Sequence, residues 1–168
     1  MRIFLIGFMG SGKTTIGKKL ADFMQYSFID LDEQIVQHEN CEISQIFSQK
    51  GEDYFRTLEH KMLHEVLRED HVVVAAGGGT PCFFDNMKLM TEGSITVYLK
   101  ADENTLKKRL KCDPGSRPLL PDLEVDPERF NNFFVQREPY YERAQLILDD
   151  YDELEISELA GRIISHHV

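Results

Sequence analysis

The stretch Gly7-Phe8-Met9-Gly10-Ser11-Gly12-Lys13-Thr14 matches G-x-x-x-x-G-K-[ST] at every position. Residue types in that spacing suit one task, the cradling of phosphate groups. Glycine lets the backbone wrap an anion without a Cβ in the way. The N–H groups at the start of the following helix point at the same anion, and the helix dipole adds to the attraction. Lys13 is expected to reach the β- and γ-phosphates, and the Thr14 hydroxyl to ligate Mg²⁺.

Further groups with chemistry follow along the chain. Asp30-Leu31-Asp32 closes a short apolar run. Alternation along a strand would put both carboxylates on one side of its tip. Asp30 then suits the outer shell of Mg²⁺, which keeps several waters. Asp32 suits the orientation or deprotonation of an attacking hydroxyl, and equally a helix N-cap ahead of Glu33-Gln34-Ile35. Arg56 lies between Glu52 and Glu59 at helical spacing, so it reads either as an exposed, paired arginine or as a ligand group. Gly77-Gly78-Gly79 follows an apolar run, where three glycines favour backbone contact with a substrate over a plain turn. Arg117 sits in a loop with three prolines and a glycine. It reads either as a lid residue that closes over a nucleotide and offsets transferring charge, or as a solvated linker arginine. Arg137 precedes Pro139. It either points into a cleft or pairs with Glu138 or Glu142. His60 and His64 are four apart, the spacing of a metal pair. The glutamate of H-E-x-x-H and a third ligand are lacking, so they read as plain helix residues.

These groups need elements to hold them. Five short apolar runs, Ile3–Ile6, Ser27–Asp30, Val72–Ala76, Ile95–Leu99 and Leu146–Leu148, alternate with helical patterns. That alternation predicts a parallel sheet with helices on both faces, with the ligand at the carboxyl ends of the strands. Ile16, Leu20, Phe23 and Met24 predict the buried face of the first helix. Helical patterns run from Ile43 to Glu69 around Gly51, and from Phe83 to Met90. Asp102 or Asn104 caps a helix through Leu106 and Leu110, with Lys107, Lys108, Arg109 and Lys111 on a basic face. Another helix starts at Asp126-Pro127-Glu128. The last, Ile156 to His167, packs through Ile156, Leu159, Ile163 and Ile164.

The chain has 168 residues, with 42% hydrophobic and 29% charged, which predicts one globular domain over 1–168. A net charge of −10 disfavours nucleic acid as a partner. No apolar run is long enough to span a membrane. Met1-Arg2 with the following run faintly resembles a signal peptide, but the phosphate loop accounts for it better, so a cytoplasmic protein is expected. Cys41, Cys82 and Cys112 are scattered and odd in number, which fits reduced thiols.

Taken together, these residues resemble the shikimate kinases, a branch of the nucleoside-monophosphate-kinase-like phosphate-loop proteins. The likeness is carried by Gly7–Thr15, Asp30-Leu31-Asp32, Phe55-Arg56-x-x-Glu59, Gly77-Gly78-Gly79, Arg117-Pro118-Leu119-Leu120 and Arg137-x-Pro139-Tyr140-Tyr141. The resemblance implies a three-layer α/β/α fold with a five-stranded parallel sheet, a lid at about 112–122 and a substrate-binding segment at about 32–60. It implies a monomer that phosphorylates the shikimate 3-hydroxyl with ATP and Mg²⁺. Carried over, Gly10, Ser11, Gly12, Lys13, Thr14 and Thr15 hold the ATP phosphates, and Thr14 and Asp30 serve the metal. Asp32 holds the substrate hydroxyls and is the base or orienter, with Lys13 and Arg117 beside it in catalysis. Arg56 and Arg137 bind the shikimate carboxylate. Gly78 and Gly79 give backbone contacts, and Phe47 and Phe55 line the ring. Arg109 lies near adenine and Arg117 reaches ATP from the lid. The acidic loop after Asp149 shows no clear match to the family's adenine stretch.

Rival readings are another small-molecule kinase, for gluconate or a nucleotide, and a nucleotide-dependent switch or binding module such as a GTPase. A GTPase would need D-x-x-G and N-K-x-D motifs, and neither occurs.

Overall fold

The computed structural model describes residues 1–112 and 127–167. The expected lid at about 112–122, with Arg117, therefore lies almost wholly outside the described residues. Five strands form one parallel sheet in the order β2-β3-β1-β4-β5. They are β1 (Arg2–Ile6), β2 (Ser27–Asp30), β3 (Val72–Ala75), β4 (Ile95–Leu99) and β5 (Leu146–Leu148). Each falls on an expected run; β3 stops one residue short of Ala76. β3 and β4 are buried along their whole length, as strands covered on both faces should be.

The helices are α1 (Lys13–Met24), α2 (Leu31–Glu39), α3 (Ile43–Val66), α4 (Asn86–Thr91), α5 (Glu103–Cys112), α6 (Pro127–Tyr141) and α7 (Ile156–His167). They complete a three-layer α/β/α domain of the phosphate-loop kind. α1 packs against α7, and α2 against α3. In the sheet β1 sits between β3 and β4, so the chain changes direction across β1. Ligand clefts form at such a switch point, beyond the carboxyl ends of the strands. The loop between β1 and α1 lies there.

Local expectations are in part met and in part corrected. The buried face of α1 is Lys13, Gly17, Leu20 and Ala21, while Phe23 is 51% exposed. Small residues let α1 approach the sheet closely, and a Cβ on Gly17 would meet the Phe28 ring at 2.5 Å. α3 runs unbroken in sequence but has a non-helical residue at Gly51, with φ 81° and ψ 172°. In place of a helix from Phe83 there is a 3₁₀ turn, Thr80–Cys82, and α4 begins only at Asn86. Pro81 holds the 3₁₀ turn, and Phe83 is extended. On α7, Leu159 and Ile163 are buried but Ile164 is exposed. α5 is capped by Asp102, whose Oδ1 accepts from the Asn104 and Thr105 N–H groups at 2.9 and 3.0 Å.

Candidate active site

Gly12 takes the left-handed backbone, with φ 87°, that turns the loop into α1. No side chain caps α1 and no acidic residue stands in its first turn, so its N-terminus is polarised for an anion. Lys13 is almost fully buried. Its Nζ donates to the carbonyls of Gly7 and Phe8 at 2.8 and 2.9 Å, folding the side chain over the loop's own backbone. Ser11 is buried beneath, and Thr15 is exposed at the rim.

The Thr14 hydroxyl donates to Asp30 Oδ2 at 2.7 Å. Hydroxyl and carboxylate meet as an oxygen pair between the first turn of α1 and the tip of β2, a donor set that suits a hard cation such as Mg²⁺. Asp30 Oδ1 also accepts from the N–H groups of Asp32 and Glu33. Asp30, not Asp32, is therefore the N-cap of α2. That corrects the strand-tip picture. Asp30 is the last strand residue, and Asp32 stands in the first helical turn. The cap ends the strand two residues earlier than alternation through Asp32 assumes.

Asp32 is half-buried on the cleft floor. Its carboxyl is pushed up to about 7, first by desolvation, then by the charges of Glu59 and Asp30, with Lys13 and Arg56 pulling the other way. An aspartate poised near neutrality is suited to take a proton from a hydroxyl.

Arg56 is only 4% exposed, so the exposed-helix reading fails. Its Nη1 donates to Glu59 Oε2 at 2.9 Å and its Nη2 to Glu52 Oε1 at 3.1 Å. The guanidinium carbon lies 4.1 Å from the centre of the Phe83 ring. Glu59 Oε1 accepts from the buried Thr80 hydroxyl at 2.6 Å. A Cβ on Gly79 would lie 2.6 Å from Arg56 Nη1, and one on Gly77 would lie 2.8 Å from Asp32 Oδ1 and 2.9 Å from Glu59 Oε1. The glycines are what let Arg56, Glu59 and Asp32 gather around one backbone segment.

Arg137 is 6% exposed, with its guanidinium carbon 3.8 Å from the centre of the Phe133 ring. Glu138 and Glu142, its rival partners, instead pair with Lys100 at 3.1 and 3.2 Å. A Cβ on Gly78 would lie 3.3 Å from Met9 N and 3.7 Å from Arg137 Nη1. Consecutive glycines thus carry one buried guanidinium each, beside the phosphate loop. The charges of Arg137 and Arg56 also act together on Cys82, whose thiol burial nevertheless pushes up to about 11. Phe47 and Phe55 stack with ring centres 4.7 Å apart on the α3 side.

A cleft of about 860 Å³ joins the phosphate loop, Asp30, Asp32 and Gly78 to a second zone formed by Arg109, Tyr151 and Asp152. Arg109 Nη2 donates to Asp152 Oδ2 at 2.6 Å, and its Nη1 to the Tyr151 hydroxyl at 3.3 Å. The acidic loop without a clear sequence match is therefore the wall opposite Arg109, continued by Leu154 and Ile156.

Sequence reasoning missed three supports. The Tyr141 hydroxyl donates to the Gly78 carbonyl, Thr80 holds Glu59, and Phe133 lies under Arg137. Tyr141 and Phe133 lie one turn either side of Arg137 on α6, the one signal available in the sequence.

A family model described as shikimate kinase matches residues 9–167. A shikimate kinase of Phocaeicola vulgatus is 46% identical over 158 residues, covering 92% of this chain and 89% of that protein. The crystal structure of shikimate kinase from Bacteroides thetaiotaomicron superposes with a TM-score of 0.85 at 37% identity, covering 98% of this chain and 97% of the other. That of the Acinetobacter baumannii shikimate kinase in complex with shikimate gives a TM-score of 0.85 at 30% identity, covering 97% and 90%.

Proposed function

This chain belongs to the shikimate kinase family, and from that premise we propose how its own residues carry the reaction. It is an ATP-dependent phosphotransferase acting on an alcohol group. It moves the γ-phosphate of ATP to the 3-hydroxyl of shikimate, giving shikimate 3-phosphate and ADP in the synthesis of chorismate and the aromatic amino acids.

Gly10, Ser11, Gly12, Thr14 and Thr15 hold the phosphates through the loop and the α1 N-terminus. Lys13 exchanges its carbonyl partners for phosphate oxygens. Thr14 would ligate Mg²⁺ and Asp30 would serve its outer shell, a reading supported by their shared hydrogen bond. The ion supplies neutralisation of phosphate charge. Arg109, with Tyr151 and Asp152, borders the adenine end of the cleft. Arg117 closes over ATP from a lid at about 112–122. Arg56 and Arg137 clamp the carboxylate of shikimate, each guanidinium forming a bidentate fork. Gly78 and Gly79 meet the ring through their backbone, and Phe47 and Phe55 face its apolar edge. Asp32 accepts the proton of the attacking hydroxyl, which then joins the γ-phosphorus as the bond to the ADP oxygen breaks. The segment at about 32–60 binds substrate within a single domain, and the enzyme works as a cytoplasmic monomer.

One observation carries this reading above all. Two buried arginines from distant helices flank adjacent glycines beside Asp32 and the phosphate loop. No phosphate donor needs that second positive centre, whereas an acceptor with a carboxylate and hydroxyls does. The test is ADP release from ATP and Mg²⁺ with shikimate, gluconate and nucleoside monophosphates offered in parallel. Turnover with shikimate alone is expected. Turnover with a different acceptor and none with shikimate would reassign the two arginines.

A further inference from the structure

On the outer side of α3, away from the described cleft, His60 and His64 bring their Nε2 atoms to 3.3 Å, with the rings at 88°. Two imidazole–metal bonds of about 2.0–2.1 Å at a tetrahedral angle span roughly 3.4 Å, so the nitrogens already stand at the separation of a chelated ion. Spacing alone would not establish this, because a hydrogen bond between the rings has the same length.

The protonation of His60 is fixed from behind, and that is the independent observation. Asn86 is fully buried, and its Nδ2 donates to the Thr80 carbonyl at 2.9 Å. That bond fixes the amide, leaving Oδ1 facing His60 Nδ1 at 2.6 Å. Only an Nδ1–H can satisfy an amide oxygen at that distance, so in the neutral imidazole of His60 it is Nε2 that carries the lone pair. This is the arrangement found behind metal-bound histidines, where an oxygen holds the far N–H and fixes the ring. The ring is fixed a second time by Phe84, which packs 4.9 Å from it. Phe84 holds a left-handed backbone, φ 50°, while its side chain is largely exposed.

We propose that His60 and His64 form a surface chelate for a late transition divalent ion of the nickel, copper and zinc class, the class that imidazole favours. Without an ion, the His64 Nε2–H donates to the His60 lone pair. With one, the His64 proton moves to its Nδ1 and both Nε2 atoms face the metal, water completing the coordination. Among the described residues no cluster of three or more histidine, cysteine or carboxylate groups could hold a metal. This dyad is accordingly a two-ligand, exchangeable site.

The test is calorimetric titration of Ni²⁺ into the full chain and into His64→Ala, both in a His166→Ala/His167→Ala background that removes competing tail histidines. The exposed His64 side chain should be removable without loss of the fold, and His64→Gln serves the same purpose if His64→Ala unfolds. One site with at least tenfold higher affinity in the parent is expected. Equal affinity in parent and variant would overturn the proposal. Long-range ¹H–¹⁵N spectra of the metal-free protein give a second reading. They should find the His60 proton on Nδ1; finding it on Nε2 would equally overturn the chelate.

Discussion

Arg56 and Glu59 form a buried ion pair one helical turn apart, with Nη1 to Oε2 at 2.9 Å. The same glutamate uses its other oxygen for Thr80 and raises the carboxyl of Asp32 by its charge. One side chain therefore orients the arginine, ties α3 to the segment after β3, and tunes the Asp32 carboxyl. Glu59→Ala should destabilise the protein by about 3–5 kcal/mol, the usual consequence of stranding one member of a buried pair. Urea denaturation would measure it. Glu59→Gln keeps the shape and removes the charge, so the Asp32 titration should move to lower pH.

That titration has a definite sign. Asp32 rises from 3.8 to about 7 in the folded protein. Ionising it in the fold is harder than in the unfolded chain. The stability tied to this group is complete below pH 3.8 and is lost as pH rises through about 7. Asp32→Asn should match the parent in thermal stability near pH 4, gain on it as pH rises, and level off above pH 7. Its turnover should fall by roughly 10²–10⁴, as loss of a general base does. In the parent, kcat/KM for shikimate should decline below about pH 7. A flat profile from pH 5.5 to 8 would remove proton transfer to Asp32 from the reaction.

Arg137→Lys keeps the charge but loses the planar fork. The KM for shikimate should rise about 10–100-fold, equivalent to roughly 1.5–3 kcal/mol of charged hydrogen bonding, while the KM for ATP holds. Steady-state kinetics with each substrate varied in turn would separate the two.

Two glycine substitutions should fail in different ways. A Cβ at Gly79 would sit 2.6 Å from Arg56 Nη1, so Gly79→Ala should displace that arginine and weaken shikimate selectively, by at least tenfold in KM. A Cβ at Gly51 meets nothing within 4 Å, but the backbone there has φ 81°. Gly51→Ala should cost about 1–2 kcal/mol of stability and leave shikimate affinity alone.

The phosphate loop was legible because its chemistry is contiguous. Residues 7–14 fold with their neighbours, and the flanking apolar runs fix strand and helix. Pairing and periodicity alone showed the arginines as residues and not as a site, since Arg56 satisfies an ordinary helix pairing and only burial sets it apart; the family resemblance is what joined them. Asp32 was placed on a strand tip because alternation says nothing about where a cap ends the strand; the Asp30 side chain decides that. Phe23 looked like core because apolar spacing marks a helical stripe without saying how wide the sheet beneath it is. The wall opposite Arg109 was not legible, since Tyr151 and Asp152 contribute through tertiary position alone.

The two arginines belong to α3 and α6, far apart in sequence, and both helices pack against the Thr80–Cys82 turn that follows the glycines. A carboxylate bound between the arginines would bridge segments from opposite halves of the chain. It would act as a reversible staple, favouring the native state by mass action. Shikimate should raise the midpoint of global unfolding as well as serve as the phosphate acceptor.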